Sequence, residues 1–293
     1  MANIFKLSGV LLMVASLGWG AQAQESVDPL RQRAEKGSAE AQTTLGTMYR
    51  NGEGVRQDLG EALRWFRLAA VQGNAEAEND LGFLYDYGGG VPIDHQEAAR
   101  WYRKAAAQGH AEAALNLGWL YDSGQGFPVD HAEAAKWYRK AAEEGNGDAA
   151  FDLGVMYEKA QGVGQDYGEA ARWYRKAADQ GMHIAQLSLG RLYAGGQGVA
   201  RDRAEAARWY RKAADLGLAT AQYELSRAYS SGAGVTADPV AAYEWMDVAV
   251  FRANGSVREK YSAARDALGG RMSSEQLAEA KRLAGEWKAK WAH

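Results

Sequence analysis

The sequence predicts an all-α solenoid built from six helix-turn-helix repeats and closed by helical caps. Three observations predict it: a period of 36 residues, apolar positions at helical spacing within each period, and glycines that interrupt this spacing at a fixed place. One tryptophan recurs at this interval without any insertion, at Trp65, Trp101, Trp137, Trp173, Trp209 and Trp245. Leucine, tyrosine and aspartate ladders that start at Leu45, Tyr49 and Asp58 keep the same register. A period of about 20–50 residues is typical of stacked repeats that bury their apolar faces against one another.

Each repeat is predicted to contain two short helices, which we call helix A and helix B. In the first repeat, Leu45 and Tyr49 lie on one helical stripe, and the glycines within 51–54 end the pattern of helix A. Helix B begins after Asp58, and Glu61 follows three residues later, which is the arrangement of a capping box. Because helices of about 12 residues are marginal alone, we expect stacking to stabilise them.

The ladder positions are predicted to be structural. Gly46 and the alanines allow the two helices of a repeat to approach closely, while the tryptophan and tyrosine rings fill the gaps between neighbouring pairs. Replacing one buried ring by alanine costs about 3–5 kcal/mol, so a ladder residue such as Trp101 is expected to serve the fold rather than binding.

The same ladders divide the chain into an N-terminal cap, six repeats and a C-terminal cap. The caps are 24–36 and 253–293, and the repeats are 37–72, 73–108, 109–144, 145–180, 181–216 and 217–252. Ser256 and Ser273, each with an acid or amide three residues later, predict the starts of two closing helices. Trp287 and Trp291 are expected to cover the last apolar face.

The first 23 residues predict a secretory signal peptide. Lys6 precedes an apolar stretch over 7–20, and Ala21-Gln22-Ala23 fits a cleavage site before Gln24. The apolar stretch is shorter than the ~20 residues that a membrane span needs, so we expect no membrane span in the mature chain. The protein is therefore expected to be exported, to a periplasm in the first instance or beyond it; an anchor that is never cleaved is the alternative.

Composition argues against several other classes of protein. Hydrophobic residues make up 47% and charged residues 24% of the 293 residues, the balance of an ordered globular chain. A net charge of -3 provides no cationic field for DNA or RNA, so we expect no nucleic-acid partner. The absence of cysteine removes disulfide scaffolds, thiolate zinc sites, thiol catalysis and a lipid-bearing cysteine.

The repeat closely resembles the Sel1-like repeat, a slightly longer relative of the tetratricopeptide repeat. The resemblance is carried by Ala-Glu-Ala-x-x-x-Leu-Gly-x-x-Tyr at 75–85, the glycines at 88–90 and Glu-Ala-Ala-Arg-Trp-Tyr-Arg-Lys-Ala-Ala at 97–106. It implies a right-handed superhelix that binds other proteins. Envelope members of this family include adaptors, regulators of signalling or polysaccharide export, and toxin antagonists. Ala160, Ser226 and Asp247 depart from the pattern, and two of these departures predict a looser sixth repeat.

No motif for chemistry is present, and we expect neither catalysis nor a cofactor. The recurring glycines follow helix A and do not form a phosphate-binding loop, since no Lys-Ser or Lys-Thr pair follows them. His95 and His131 occupy the same position in adjacent repeats, but Asp94 and Asp130 beside them are needed as helix caps. We therefore expect no metal site.

Positions that differ between repeats are free for function, and on helix A they fall on one stripe. In the related tetratricopeptide fold this stripe lines a concave groove, so the resemblance makes it the expected partner-binding surface. The predicted contact residues are Asn79, Phe83, Asp86, Leu115, Trp119, Asp122, Phe151, Val155, Glu158, Leu187, Arg191, Tyr223 and Arg227. The middle of this set is aromatic and acidic, and its end carries arginines.

Two alternatives stay open at the level of surfaces. Trp119 belongs to no ladder and is a candidate binding hot spot, but it could also pack against the next helix A. The Arg and Lys rows of helix B, such as Arg100, Arg103 and Lys104, are either a solvated outer face or a polyanion site.

These observations predict an exported, non-enzymatic scaffold or adaptor that binds a partner protein in its groove. One alternative is a periplasmic inhibitor or immunity protein that neutralises a toxin or envelope hydrolase. Another is an enzyme or binder that acts on peptidoglycan, a β-lactam or a polysaccharide. The sequence names neither the partner nor the oligomeric state.

Overall fold

The computed structural model describes residues 19–291, with side chains from Val27 onward, and in this range all regular secondary structure is α-helical. The helices are α1 (Trp19–Glu35), α2 (Ala39–Asn51), α3 (Leu59–Ala70), α4 (Ala75–Tyr87), α5 (His95–Ala107), α6 (Ala111–Ser123), α7 (His131–Glu143), α8 (Gly147–Lys159), α9 (Tyr167–Asp179), α10 (His183–Gly195), α11 (Arg203–Asp215), α12 (Ala219–Ser231), α13 (Pro239–Arg252), α14 (Gly255–Gly269) and α15 (Ser274–Ala289). The all-α fold with six successive helix pairs is confirmed. Most of the predicted signal peptide, residues 1–18, lies outside the described residues, and cleavage before Gln24 stays a prediction.

The chain divides into two compact units, Met1–His110 and Ala111–His293. In the first, α1 packs its Val27 and Ala34 with Leu45 and Trp65 of the first repeat. Arg31 of α1 donates a hydrogen bond to the Tyr49 hydroxyl at 2.6 Å, as helix-B arginines do in later repeats. The second unit contains α6 to α15, with one core cluster between the fifth and sixth repeats and another under α14.

Helix A ends and helix B begins where the sequence predicts. Gly52 has a φ of 76°, the left-handed conformation that ends α2, and its equivalents at later repeats do the same. The Asp58 side chain accepts hydrogen bonds from the backbone N–H groups of Gly60 and Glu61, and so begins α3. The aspartate ladder is therefore confirmed as a ladder of helix caps.

The second half of the predicted capping box is replaced by a different contact. The backbone N–H of Asp58 donates to the Tyr49 carbonyl of helix A at 2.9 Å, and the same bond recurs in the other repeats, for example between Asp166 and Tyr157. Because this N–H is already bonded, the glutamate is not needed there. Glu169 instead accepts hydrogen bonds from Arg172 and the Trp173 indole.

Helices A and B meet where a glycine faces a ring. A Cβ on Gly118 would lie 2.7 Å from the Tyr138 ring, too close for any side chain. In the sixth repeat both partners change together: Ser226 replaces the glycine and Met246 replaces the ring. Both are buried, and the Ser226 hydroxyl donates to the Ala242 carbonyl. The expected loosening of the sixth repeat at this place is wrong, because the flexible methionine makes room for the serine.

Two helices close the C-terminal side. The first begins after Asn254 rather than at Ser256, and Asn254 makes no side-chain cap. The second begins at Ser273 with a complete capping box to Gln276. Trp287 packs edge-on against Trp245, as expected of a closing residue, whereas Trp291 stacks on Trp287 and is 38% exposed.

Asp247, the third departure from the repeat pattern, has a structural explanation. Its carboxylate pairs with Arg265 of α14 at 3.2 Å and with Lys288 of α15 at 2.5 Å. The acid that breaks the basic pattern of helix B therefore joins the sixth repeat to both closing helices.

Candidate functional site

The partly buried apolar residues of helix A in the second unit form the strongest candidate surface. Leu115, Trp119, Phe151 and Val155 are each partly buried on α6 and α8. Phe151 rests on the Tyr174 ring, with centroids 5.6 Å apart. We call these four residues the α6–α8 face. Each of them keeps part of its side chain accessible to solvent.

Trp119 differs from the ladder tryptophans. Trp173 is 1% exposed, and Arg172 and Lys176 lie over its ring. Trp119 is only partly buried and makes no ring or cation contact with any residue that the structure describes. Its indole is therefore held by the helix but is not engaged by neighbouring rings or cations.

Two of the predicted acidic contact residues on this side are occupied within the chain. Asp122 accepts from, or shares a proton with, His131 Nδ1 at 2.7 Å. Glu158 accepts a hydrogen bond from the Tyr174 hydroxyl. Sequence reasoning missed both partners, although the positions of His131 and Tyr174 one helix later were visible in the repeat alignment.

Asp152 is the acid that the sequence analysis did not single out. Burial raises its pKa to about 7, and the nearby charges of Asp122 and Asp148 act in the same direction. It forms no hydrogen bond or ion pair with the described residues. Burial, with the charge of Asp152 as the next cause, also raises the pKa of Tyr138. Asp152, which follows Phe151 of the α6–α8 face, is therefore the acid of this region that lacks a partner among the described residues.

The remaining predicted contacts of the second unit fall into two groups. Leu187 is 6% exposed and belongs to the core between the fifth and sixth repeats, while Tyr223 stacks on Tyr261 of α14 at 4.6 Å. Leu187 is therefore covered by its neighbours, whereas Tyr223 is partly buried under α14. Arg191 and Arg227 are exposed, and Arg227 pairs with Glu224 of its own helix at 3.1 Å.

In the first unit only one of three predicted contacts is accessible. Asn79 and Asp86 are each 5% exposed, which corrects their placement on a contact surface. Asp86 is held by His95 Nδ1 at 2.6 Å, and burial raises the pKa of this carboxyl. Phe83 is partly buried and packs on Tyr87. The side chain at the Asp86 position points between the helices, because the histidine that pairs with it begins helix B.

One of the arginine rows on helix B has a structural role that the sequence did not reveal. Arg67 donates to the hydroxyl of Tyr85, and Arg139, Arg175 and Arg211 donate to the ladder tyrosine of the following repeat in the same way. These arginines link successive repeats. The row that includes Arg172 and Arg208 stays exposed and pairs with acids three residues earlier.

Within the described part of the chain, no three His, Asp or Glu side chains are grouped so that they could hold a metal ion. No described helix is long and apolar enough to cross a membrane. The exposed features are therefore an apolar face, an acidic region and a set of arginines, which are elements of a binding surface.

The fold and this surface define a class of protein. It is a helical-repeat protein in which the ladder positions recur in every repeat and the residues on one face of helix A vary. The sequence matches the Sel1 repeat family six times, and the matched residues are 39–74, 75–110, 111–146, 147–182, 183–218 and 219–249. The chain belongs to this family. Each match begins two residues after the boundary chosen from the ladders and contains the same helix pair. Sel1 repeat proteins are generally non-enzymatic scaffolds that bind proteins.

One solved structure supports the same assignment, and two others are reported for comparison. A Sel1 repeat protein from Oxalobacter formigenes is 35% identical, with a TM-score of 0.65, over 78% of this chain and 94% of that one. A protective antigen of uropathogenic Escherichia coli with an SLR fold is 27% identical, with a TM-score of 0.49, over 93% and 83%. An immunity protein from Pseudomonas aeruginosa is 21% identical, with a TM-score of 0.40, over 80% and 83%. A search of curated proteins found no match.

Proposed function

We propose that this protein is an exported scaffold that binds one partner protein on the α6–α8 face, with Trp119 as the central contact. The observation that carries the proposal is the state of Trp119, a partly buried indole that makes no ring contact within the described chain. Tryptophan is enriched among the few residues that dominate binding energy at interfaces. A fixed, unengaged indole beside Leu115 and Val155 fits that role.

The charge beside the face favours a partner that carries a cation. Asp152 has no cationic partner among the described residues, and Asp148 is exposed near it. A partner that places an apolar side chain on Trp119 and a lysine or arginine near Asp152 would satisfy both features. Because the cation would pair with a partly desolvated carboxylate, it would favour the ionised form of Asp152.

The test is affinity capture from the native envelope fraction with the wild-type chain beside Trp119→Ala. Trp291→Ala is the matched control, since it removes another partly exposed tryptophan from the same unit. We expect one protein to be retained stoichiometrically by wild type and by Trp291→Ala, and lost with Trp119→Ala. Capture that is equal for all three proteins would contradict the proposal.

A stability measurement distinguishes a binding role of Trp119 from a role in the core. Trp119→Ala is expected to leave the helical signal and the melting temperature nearly unchanged. Trp173→Ala, which opens a cavity at a buried ring, is expected to lower the free energy of unfolding by about 3–5 kcal/mol. A comparable loss for Trp119→Ala would show that this ring belongs to the core.

The captured protein's own activity would decide between an adaptor and an inhibitor. An enzyme or toxin that loses activity in the complex makes this chain an inhibitor, and a partner that keeps its activity makes it an adaptor. Export is tested separately by N-terminal sequencing of the protein from its native source, where Gln24 is the expected first residue.

A further inference from the structure

A cavity of about 540 Å³ opens between α10, α11 and α12 in the second unit. Its lining includes small residues, such as Ala194 and Ala206, and Tyr210. Three arginines, Arg201, Arg203 and Arg227, line it together with one acid, Glu224. The volume lies within the range of about 300–1,000 Å³ that is typical of small-ligand sites.

The preceding repeats show which group is missing from this cavity. At the position of Ala194, the second to fourth repeats carry an acid: Asp86, Asp122 and Glu158. At the position of Arg203, the second and third carry the histidine that pairs with this acid, at 2.6 and 2.7 Å. In the fifth repeat this carboxylate is therefore absent. An arginine, which is always charged, stands at the position of the histidine.

Tyr210 therefore lacks the carboxylate that faces its equivalents in earlier repeats. Its equivalents donate to the acid in two repeats, Tyr102 to Asp86 at 3.5 Å and Tyr174 to Glu158. Tyr210 is only 6% exposed, lines the cavity, and its hydroxyl forms no hydrogen bond with any described residue. A ligand that accepts a hydrogen bond from this hydroxyl would supply the partner that the acid supplies in the second and fourth repeats.

The charge of the cavity favours an anion. Arg227 is paired with Glu224, and Arg201 Nε donates to the Ala194 carbonyl at 3.1 Å. Arg203 forms no ion pair with the part of the chain that the structure describes, and its side chain is exposed at the rim. Arginine binds a carboxylate with two parallel hydrogen bonds, which gives both strength and orientation.

We infer that this cavity binds a carboxylate from outside the chain, which takes the place that the Asp86, Asp122 and Glu158 carboxylates fill in earlier repeats. The ligand carboxylate accepts from Tyr210 and pairs with Arg203. This site is separate from the α6–α8 face, and its test does not require the partner protein. The source is either a free organic acid or an acidic group of a bound protein, and both carry the same chemistry.

The first test uses glutarate as the probe and its neutral diamide, glutaramide, as the control. Titrations of the full chain are followed by heteronuclear NMR and calorimetry. We expect saturable glutarate binding below about 10 mM and none of glutaramide. Arg203→Gln should weaken glutarate binding about tenfold or more, whereas Arg208→Gln, which removes an exposed arginine of the same helix outside the cavity, should leave it unchanged.

The second test restores the missing acid. Ala194→Asp should abolish glutarate binding and raise the melting temperature, because the new carboxylate meets Tyr210 and Arg203 within the chain. Ala194→Asn, which is equal in size and neutral, should not raise it. The inference is overturned if wild type does not bind glutarate, if Ala194→Asp binds it as well as wild type, or if inorganic phosphate binds more tightly than glutarate.

The source is then assigned with an acetylated tetrapeptide of glutamates. Tighter binding of the peptide than of glutarate indicates an acidic group of a protein, and equal or weaker binding indicates a free organic acid. Loss of Trp119-dependent capture would leave these results intact, so failure of the proposed function and failure of this inference are distinguishable.

Discussion

Ala160 ends α8 in a conformation that favours glycine. It has a φ of 56° and is the sole non-glycine residue with positive φ in the described chain, where the other repeats place glycine. The left-handed conformation costs a residue with a Cβ about 1–2 kcal/mol. Part of that cost is offset because alanine has less freedom than glycine in the unfolded chain.

We therefore predict that Ala160→Gly raises the free energy of unfolding by about 0.5–1 kcal/mol. The reverse change at the equivalent position, Gly196→Ala, is expected to lower it by about 1–2 kcal/mol, since its φ is 72° and the new Cβ would lie 2.9 Å from Arg201. Urea unfolding of both variants gives the measurement. A loss of stability in Ala160→Gly would contradict this account.

Asp152 makes stability depend on pH in a predictable direction. Its pKa is about 7 in the folded chain, whereas the ordinary value is 3.8, so the folded state holds a proton that the unfolded state releases. Stability contributed by the protonated form is fully present below pH 4 and is lost as pH rises toward 7. The groups that face it are Asp122, Asp148, Tyr138 and Tyr174.

Asp152→Asn removes this titration. We expect it to raise the free energy of unfolding at pH 8 by about 1–3 kcal/mol and to change little at pH 4. Unfolding curves at several pH values measure the effect, with Asp179→Asn as the control, since Asp179 is an exposed acid of α9 that does not act on Asp152. A gain of the same size at both pH values would show that the effect is not due to ionisation.

At the scale of the helix pair, the close approach of helices A and B is set by two residues that change together. Gly118 faces the Tyr138 ring, and Ser226 faces Met246. Gly118→Ser alone should destabilise the chain by about 1–3 kcal/mol, because its side chain meets an aromatic ring.

The double variant Gly118→Ser/Tyr138→Met reproduces the pair of the sixth repeat. We predict that it loses less stability than the sum of the two single variants, with a coupling of about 0.5–3 kcal/mol. A double-mutant cycle measured by denaturant unfolding checks this. Additive losses of stability would show that the serine and the methionine of the sixth repeat do not compensate for each other.

At the scale of the molecule, α14 and α15 protect the last repeat. Trp287 covers Trp245, Tyr261 covers Tyr223, and Asp247 is bonded to both closing helices. A chain that ends at Ala253 would expose these surfaces and leave Asp247 without its two cations.

We predict that this truncation lowers the free energy of unfolding by about 3 kcal/mol or more and causes self-association, since an uncapped repeat exposes its core. Urea unfolding and light scattering measure the two effects. Trp291→Ala, which removes an exposed ring just beyond α15, should cause neither. A truncated chain that stays monomeric and as stable as wild type would contradict the capping role.

Much of the fold could be predicted because each repeat supplies the same local signals. Helix ends follow from Gly52 and Asp58, and the ladder at Trp173 follows from periodicity alone. Less of the candidate site could be predicted. Asn79 and Asp86 lie on the helix-A stripe of the second repeat, which is equivalent to the stripe that carries Trp119 in the third, yet they are buried. The stripe of one helix does not reveal where the next helix packs.

The number of repeats, their helices and their family follow from the sequence alone, because they depend on local capping signals and on a period that recurs along the chain. The accessibility and pairing of the variable residues follow only from the packed helices: Asp86 pairs with His95, Arg67 with Tyr85, and Tyr210 with none of the described residues. The physical reason is that burial and pairing depend on side chains from neighbouring helices. Their approach is fixed by packing, which a linear pattern does not record.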